Sequence, residues 1–212
     1  MPQNRFSSKD QIVLASGNQK KLAELSRILQ PFKLKLTPQS AFNLEDAIED
    51  GLTFVENAII KARHACTKTG LPAISDDSGI EVDYLNGKPG IYSARYAGDN
   101  ANDQLNLEKL IHELKNVDDQ MRSARYQCII VFMKHEADPT PIICQGSWEG
   151  VLLREPSGKG GFGYDPIFYC PKAQKTAAEM LPDEKAFISH RGKALRKLTH
   201  ILSKRSAKEY QS

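Results

Sequence analysis

The chain has 212 residues, 40% of them apolar and 26% charged, which is enough for one globular domain with a sizeable core and rules out a disordered composition. Lys and Arg number 29 against 26 Asp and Glu, so the net charge of +3 is too balanced for a nucleic-acid surface, and any positive charge that matters is local. Met1–Asp10 is polar and lacks the apolar stretch of a signal peptide, and no run is long enough to span a bilayer, so neither a membrane nor a nucleic acid is expected as a partner.

Four cysteines, Cys66, Cys128, Cys144 and Cys170, lie far apart with no C-x-x-C pair. They read as reduced, buried side chains of a cytoplasmic protein, not as zinc ligands or a disulfide frame. Residues 1–10 and 204–212 read as flexible ends of a single domain spanning 1–212.

In chain order, Gln11–Ser16 is a short apolar strand, Gly17-Asn18 a turn, and a helix follows from about Lys20 with Leu22, Leu25 and Ile28/Leu29 on one face. Ser16-Gly17-Asn18-Gln19-Lys20-Lys21 is thus a strand–loop–helix junction. Free backbone N–H groups at a helix start favour an anion, and two lysines add charge. It is not a Walker A loop, because the G-x-x-x-x-G-K-[ST] spacing is absent. An ordinary connection with solvated lysines accounts for this stretch equally well when it is taken alone.

Leu34-Lys35-Leu36 suggests a strand ended by Pro38, and Glu45–Asp50 is an acidic loop carrying Glu45, Asp46, Glu49 and Asp50. Thr53 and Glu56 form a capping box for a helix with Phe54, Ala58, Ile59, Ala62 and Cys66 at helical spacing, ended by Gly70. Ser75-Asp76-Asp77-Ser78-Gly79 comes next, set between the strand-like runs Pro72–Ile74 and Ile80–Val82. Adjacent carboxylates repel and are costly to bury, so this is a poor place for them unless a cation is near. Mg²⁺ suits such a pair, because it takes one or two carboxylates and shares its remaining shell with water and phosphates. A polar turn explains the same residue types.

Asn86-Gly87 marks a tight turn. Gly90–Gly98 reads as a loop bearing Tyr92, Arg95 and Tyr96, and Asn102–Leu114 as an amphipathic helix. Ala124–Lys134 and Ile142–Leu153 read as two long antiparallel strands, with Trp148 a packing residue. Gly158, Gly160 and Gly163 match G-x-G-x-x-G, but Asp165–Phe168 reads as a strand where a dinucleotide fold requires a helix. What remains is a loop whose glycines allow close approach, with Phe162 or Tyr164 as a ring for base stacking and Asp165 as an acceptor or structural group. Glu179–Phe187 is polar and broken by Pro182. Ser189 caps a final helix whose start gathers Lys185, His190, Arg191 and Lys193, a cationic cluster suited to an anion or a base edge.

The set fits a Mg²⁺-dependent enzyme acting on a nucleoside triphosphate, with water as the nucleophile. Six stretches carry a further resemblance, in order from Gln11 to Leu202. They are Ser16-Gly17-Asn18-x-x-Lys21, Thr53-Phe54-x-Glu56-Asn57-Ala58, Ser75–Gly79, Pro89–Tyr96, Gly161–Phe168 and Ser189-His190-Arg191. Together they resemble the successive signatures of the Ham1/RdgB-type inosine triphosphate pyrophosphatases. Ser16 stands where many members have Thr, which keeps the hydroxyl.

The resemblance implies an α/β fold, a mixed central sheet flanked by helices, in two lobes with the active cleft between them. It implies a homodimer. It also implies Mg²⁺-dependent hydrolysis of ITP, dITP or XTP to the monophosphate and pyrophosphate. By position, Ser16, Gly17, Asn18, Gln19, Lys20 and Lys21 would hold the triphosphate. Asp77 would be the general base and a metal ligand, with Asp76 and Glu49 as further acidic ligands and Glu45 a weaker alternative to Glu49. Ser78, Phe162, Gly163, Tyr164, Asp165, Lys185, His190 and Arg191 would contact the nucleotide. A Maf-type pyrophosphatase and a regulatory module that binds without cleaving are the competing readings.

Overall fold

The computed structural model describes residues 11–30 and 35–209. Seven strands form a mixed sheet, flanked by helices, in the order β2-β1-β3-β4-β5-β6-β7. This is the α/β architecture expected.

Three parallel strands begin it: β1 (Gln11–Ala15), β2 (Lys35–Pro38) and β3 (Ala73–Val82). Central β1 pairs with β2 (Ile12 opposite Leu36) and with β3 (Leu14 opposite Ile74). The crossover from β1 to β2 contains helix α1 (Gln19–Leu29), and that from β2 to β3 contains α2 (Phe54–Thr69). The two crossovers run in opposite directions along the sheet, so right-handed connections put α1 and α2 on opposite faces. The carboxyl end of β1 is therefore a topological switch point, the place where open α/β sheets bind ligands.

The chain divides into two compact units. The first contains the described residues up to Asp77, Ile129–Gln145 and the final helix from Ala194 onward; the second contains Ser78–Cys128 and Gly146–Lys193. In the first, Val13, Ala15 and Ala73 pack with Ala58, Ala62, Ala65 and Cys66 of α2. These small residues let the helix lie close to the strands. Thr53 caps α2 by accepting the Glu56 N–H at 3.3 Å, and Glu56 accepts in return from the Thr53 hydroxyl and the Leu52 N–H. Gly70 ends the helix in the left-handed region.

In the second unit, α3 (Asp103–Glu113) is capped by Asn102 and buries Leu107 and Leu110 with Ile80, Trp148 and Phe168. Strands β4 (Ser123–Met133) and β5 (Ile142–Leu152) are sheet neighbours running opposite ways, since Leu152 bonds to Arg122 while Arg125 meets Glu149. Strand β6 (Phe168–Cys170) is antiparallel to β5 and to β7 (Lys175–Thr176). Two helices follow, α4 (Pro182–Ile188) and α5 (His190–Glu209).

Several sequence expectations are corrected. For Ser75–Gly79 the alternative of a polar turn falls away: the stretch is the interior of one strand, β3. Asp165–Ile167 is a turn rather than a strand, with the Ile167 N–H on the Tyr164 carbonyl, and β6 starts only at Phe168. Pro182 opens a helix instead of breaking one, because a missing N–H costs nothing at the first helical position. Gly90–Arg95 is a 3₁₀ segment. Helix α5 carries on through Glu209, into the stretch expected as a flexible tail; residues 1–10 and 210–212, the rest of those ends, and Leu34 lie outside the described residues. No helix among the described residues is long and apolar enough to cross a membrane. All four cysteines are free and buried, and burial pushes the Cys66 thiol up to about 11.

Candidate active site

In the first unit the site grows from the alternation of β3. Successive residues on a strand face opposite sides, so adjacent Asp76 and Asp77 do not meet each other. Asp77 shares its face with Ser75, whose hydroxyl donates to the Ala58 carbonyl of α2. On that side the Lys61 ammonium of α2 lies 3.1 Å from Asp77 Oδ1 and 2.9 Å from Glu49 Oε2. On the other, Lys21 of α1 reaches Asp76 Oδ2 at 3.3 Å. Both aspartates are buried, Asp76 at 1% exposure and Asp77 at 6%. Asp77 Oδ2 has no hydrogen-bond partner among the described residues.

Burial pushes the Asp77 carboxyl above the ordinary range, helped by Glu49, although Lys61 and Lys21 pull the other way. Burial also pulls on the Lys61 ammonium, but Asp77, Asp76 and Glu49 together outweigh it and hold that proton above the usual lysine range.

Glu49 is held in place by the loop that carries it. The Gly51 N–H donates to Asn57 Oδ1 at 2.9 Å, and the Glu45 carbonyl lies 3.1 Å from His64 Nε2. Of the two candidate acids, it is Glu49 whose carboxylate sits beside Lys61 with Asp77.

The Ser16–Lys21 junction is where the sequence placed it, with Gly17, Asn18, Gln19 and Lys20 exposed. Asn18 is the N-cap of α1, and its Oδ1 accepts from the Lys20 and Lys21 N–H groups at 3.0 and 3.1 Å. Those two donors are therefore already engaged by the cap. The Ser16 hydroxyl accepts from the Asn18 N–H at 3.2 Å.

Among the described residues no three Asp, Glu, His or Cys side chains form a closed cation cage. The buried Asp77 Oδ2, without a partner among the described residues and on the same carboxylate that shares Lys61 with Glu49, nevertheless fits a cation that needs only one or two protein ligands. Mg²⁺ is such an ion, and Asp77 and Glu49 are the residues that would hold it, with Asp76 beside them.

The second unit gathers a separate set. Arg191, 2% exposed in the first turn of α5, donates from Nη2 to the Ser78 hydroxyl at 2.9 Å. Ser189 caps α5 by accepting the Gly192 N–H at 3.1 Å. Asp165 Oδ2 accepts from the Phe162 N–H at 2.7 Å and from the Lys185 ammonium at 2.5 Å. A Cβ on Gly161 would sit 2.1 Å from that oxygen, at φ +72°, so only glycine serves there. Lys185 Nζ lies 5.0 Å from the centre of the Phe162 ring and Arg191 Cζ 5.9 Å. Phe162 and Gly163 beside it are half-buried. Tyr164 is 4% exposed and spends its hydroxyl on the Ser93 carbonyl at 2.8 Å, so its ring belongs to the core. His190 is buried, its ring stacked 4.7 Å from that of Tyr126 and 6.4 Å from that of Trp148.

Lys61 and Tyr126 escaped sequence reasoning. Lys61 had a signal: it stands at helical spacing from Ala58 and Ala65, where a charge is out of place on a buried stripe. Tyr126 alternates with Ala124 and Cys128 along β4 and looks like any core aromatic.

Comparison with known proteins agrees with this architecture. A sequence profile of the Ham1 family matches residues 12–201. The chain is 56% identical over 191 residues to a dITP/XTP pyrophosphatase of Salmonella paratyphi A, covering 90% of this chain and 97% of that protein. It is 55% identical to the Escherichia coli K12 protein of the same name, with the same coverage. The solved structure of a HAM1 protein from Coxiella burnetii superposes with a TM-score of 0.86 at 53% identity, over 92% of this chain and 99% of that one. With a whole-domain profile match and relatives of this identity and length, the chain belongs to the Ham1 family.

Proposed function

We propose that this protein hydrolyses non-canonical purine nucleoside triphosphates, dITP, XTP and ITP, to the monophosphate and pyrophosphate, in a Mg²⁺-dependent reaction. The observation that carries the reading is the buried Asp77 carboxylate, which has one oxygen on Lys61 and the other without a partner among the described residues. The names of the relatives supply the substrate class.

In this reading Ser16–Lys21 hold the triphosphate, and Lys21 and Lys61 neutralise charge that builds on it as the bond to the leaving pyrophosphate breaks. Asp77 orients a water and accepts its proton as it attacks the α-phosphorus; a carboxyl held above its ordinary range by burial is a better base for that step. Asp77 and Glu49 would hold Mg²⁺, which when bound would add charge neutralisation and acidify water. In the second unit Phe162 stacks on the base, Ser78 contacts the substrate, and Arg191 and Lys185 donate to the 6-oxo group of hypoxanthine or xanthine. Adenine presents an amino group there, which leaves donor facing donor, a mismatch worth orders of magnitude in rate. Removing such nucleotides keeps the precursor pool fit for polymerases. Homodimers in the cytoplasm complete the proposal; four buried thiols suit a reducing compartment.

The test is pyrophosphate release from dITP, XTP, ITP, GTP and ATP in parallel, with Mg²⁺ and with EDTA. Fast release from dITP, XTP and ITP with ATP nearly inert, abolished by EDTA, is expected; guanine carries the same 6-oxo acceptor, so GTP reads whether the 2-position is recognised as well. Equal release from all five would overturn base recognition by Arg191, and no release from any would leave a module that binds without cleaving.

A further inference from the structure

Tyr126 has no part in the reaction just described, yet the second unit's cluster is built around it. It is buried in β4, with its ring nearly parallel to that of His190, 4.7 Å away at 11°, and tilted on Phe168 at 4.6 Å. Its hydroxyl donates to Asp165 Oδ1 at 3.3 Å. The other oxygen of Asp165 holds the Phe162 N–H and the Lys185 ammonium. One phenol therefore touches two supports at once. The first is His190, which precedes Arg191 in the first turn of α5. The second is Asp165, which fixes both Phe162 and Lys185.

Packing alone does not call for this hydroxyl. A phenylalanine would fill the same space beside Trp148 and Phe168 without placing a polar atom in the core. Burial and the nearby Asp165 charge hold the phenol proton well above the ordinary tyrosine range, so the group stays a donor. Without it, Asp165 Oδ1 would be a buried acceptor with one partner fewer, and the carboxylate would be free to turn.

We propose that Tyr126 is a positioning residue for base recognition, acting through Asp165 to fix Lys185 and Phe162 and through ring stacking to fix His190. This rests on reading the second unit as the part that recognises the base. It places discrimination between bases partly in a residue that touches no substrate.

The test is Tyr126→Phe, which keeps the ring and removes one oxygen. Inosine monophosphate binding, read by calorimetry, should weaken about tenfold, the scale of a lost hydrogen bond to a charged group. The KM for XTP should rise by a similar factor with kcat changed less than about twofold, and the preference for XTP over ATP should shrink. Because Tyr126 acts through Asp165, adding Tyr126→Phe to Asp165→Asn should cost almost nothing further. Affinity, KM and preference all within about twofold of wild type would overturn the proposal, as would a loss confined to kcat. A wild-type chain that neither binds inosine monophosphate nor releases pyrophosphate from XTP would instead overturn the functional reading, and this proposal with it.

Discussion

Asp77 is 6% exposed, so ionising its carboxyl in the fold carries a desolvation cost. In the unfolded chain an aspartate loses its proton near pH 3.9, about the ordinary value. In the fold, burial keeps that proton on to higher pH. The folded state therefore binds a proton that the unfolded state has lost, so stability falls as pH rises through this interval and stays lower above it. Asp77→Asn removes that cost. We expect the variant to melt no lower than wild type at pH 7 without divalent ions, with any advantage vanishing below the ordinary carboxylate range. Its turnover should fall by about 10²–10⁴-fold, the usual weight of a general base. Thermal melts across pH and pyrophosphate release check the two halves. A variant that keeps wild-type turnover would remove Asp77 from the base role, and one that melts far lower at pH 7 would contradict the burial argument.

At the scale of elements, position is set by what the loops lean on. The loop that carries Glu49 docks on the start of α2 through Gly51, where a Cβ would meet Asn57 Oδ1 and Glu56 Cβ, each at 2.7 Å. Gly51→Ala must push the loop off the helix. It should cost about 1–3 kcal/mol, as overpacking does, and lower kcat/KM by displacing Glu49 from Lys61. Denaturation and kinetics on the same sample check this; wild-type values in both would show that the loop is free to shift. In the second unit, buried Arg122 donates to the carbonyls of Leu114, Leu152 and Leu153, joining the end of α3 to the end of β5. Arg122→Met keeps length and apolar stem but leaves three carbonyls without this donor. Each unmet buried group costs about 1–3 kcal/mol, so a loss of several kcal/mol in unfolding free energy is expected. A loss below about 1 kcal/mol would mean that water replaces the guanidinium.

At the scale of the molecule, what could be read in advance was whatever depends on short-range pattern. The caps Thr53 and Ser189, the stop at Gly70 and the apolar spacing of α1 to α3 rest on local hydrogen bonding and periodicity, and the structure has each of them. Local signals misplace three seams: at β3 and α4 the Asp, Ser, Gly and Pro residues suit a turn or a break, and ahead of β6 the Ile167-Phe168 run suits a strand where the chain still turns. Asp, Ser and Gly tolerate a strand interior when lysines from two helices flank it, and a proline suits a helix start as well as a break. Residues of the candidate site were found where they stand in compact motifs. Lys61 and Tyr126 were not, because each matters only through partners distant in sequence, Asp77 sixteen residues away and Asp165 thirty-nine.

Which phosphorus water attacks decides the reaction. Hydrolysis of XTP in ¹⁸O-labelled water with Mg²⁺, followed by mass spectrometry of the products, reads it directly. Attack at the α-phosphorus predicts label in the xanthosine monophosphate and unlabelled pyrophosphate. Label in pyrophosphate, or a diphosphate with labelled inorganic phosphate, would contradict it.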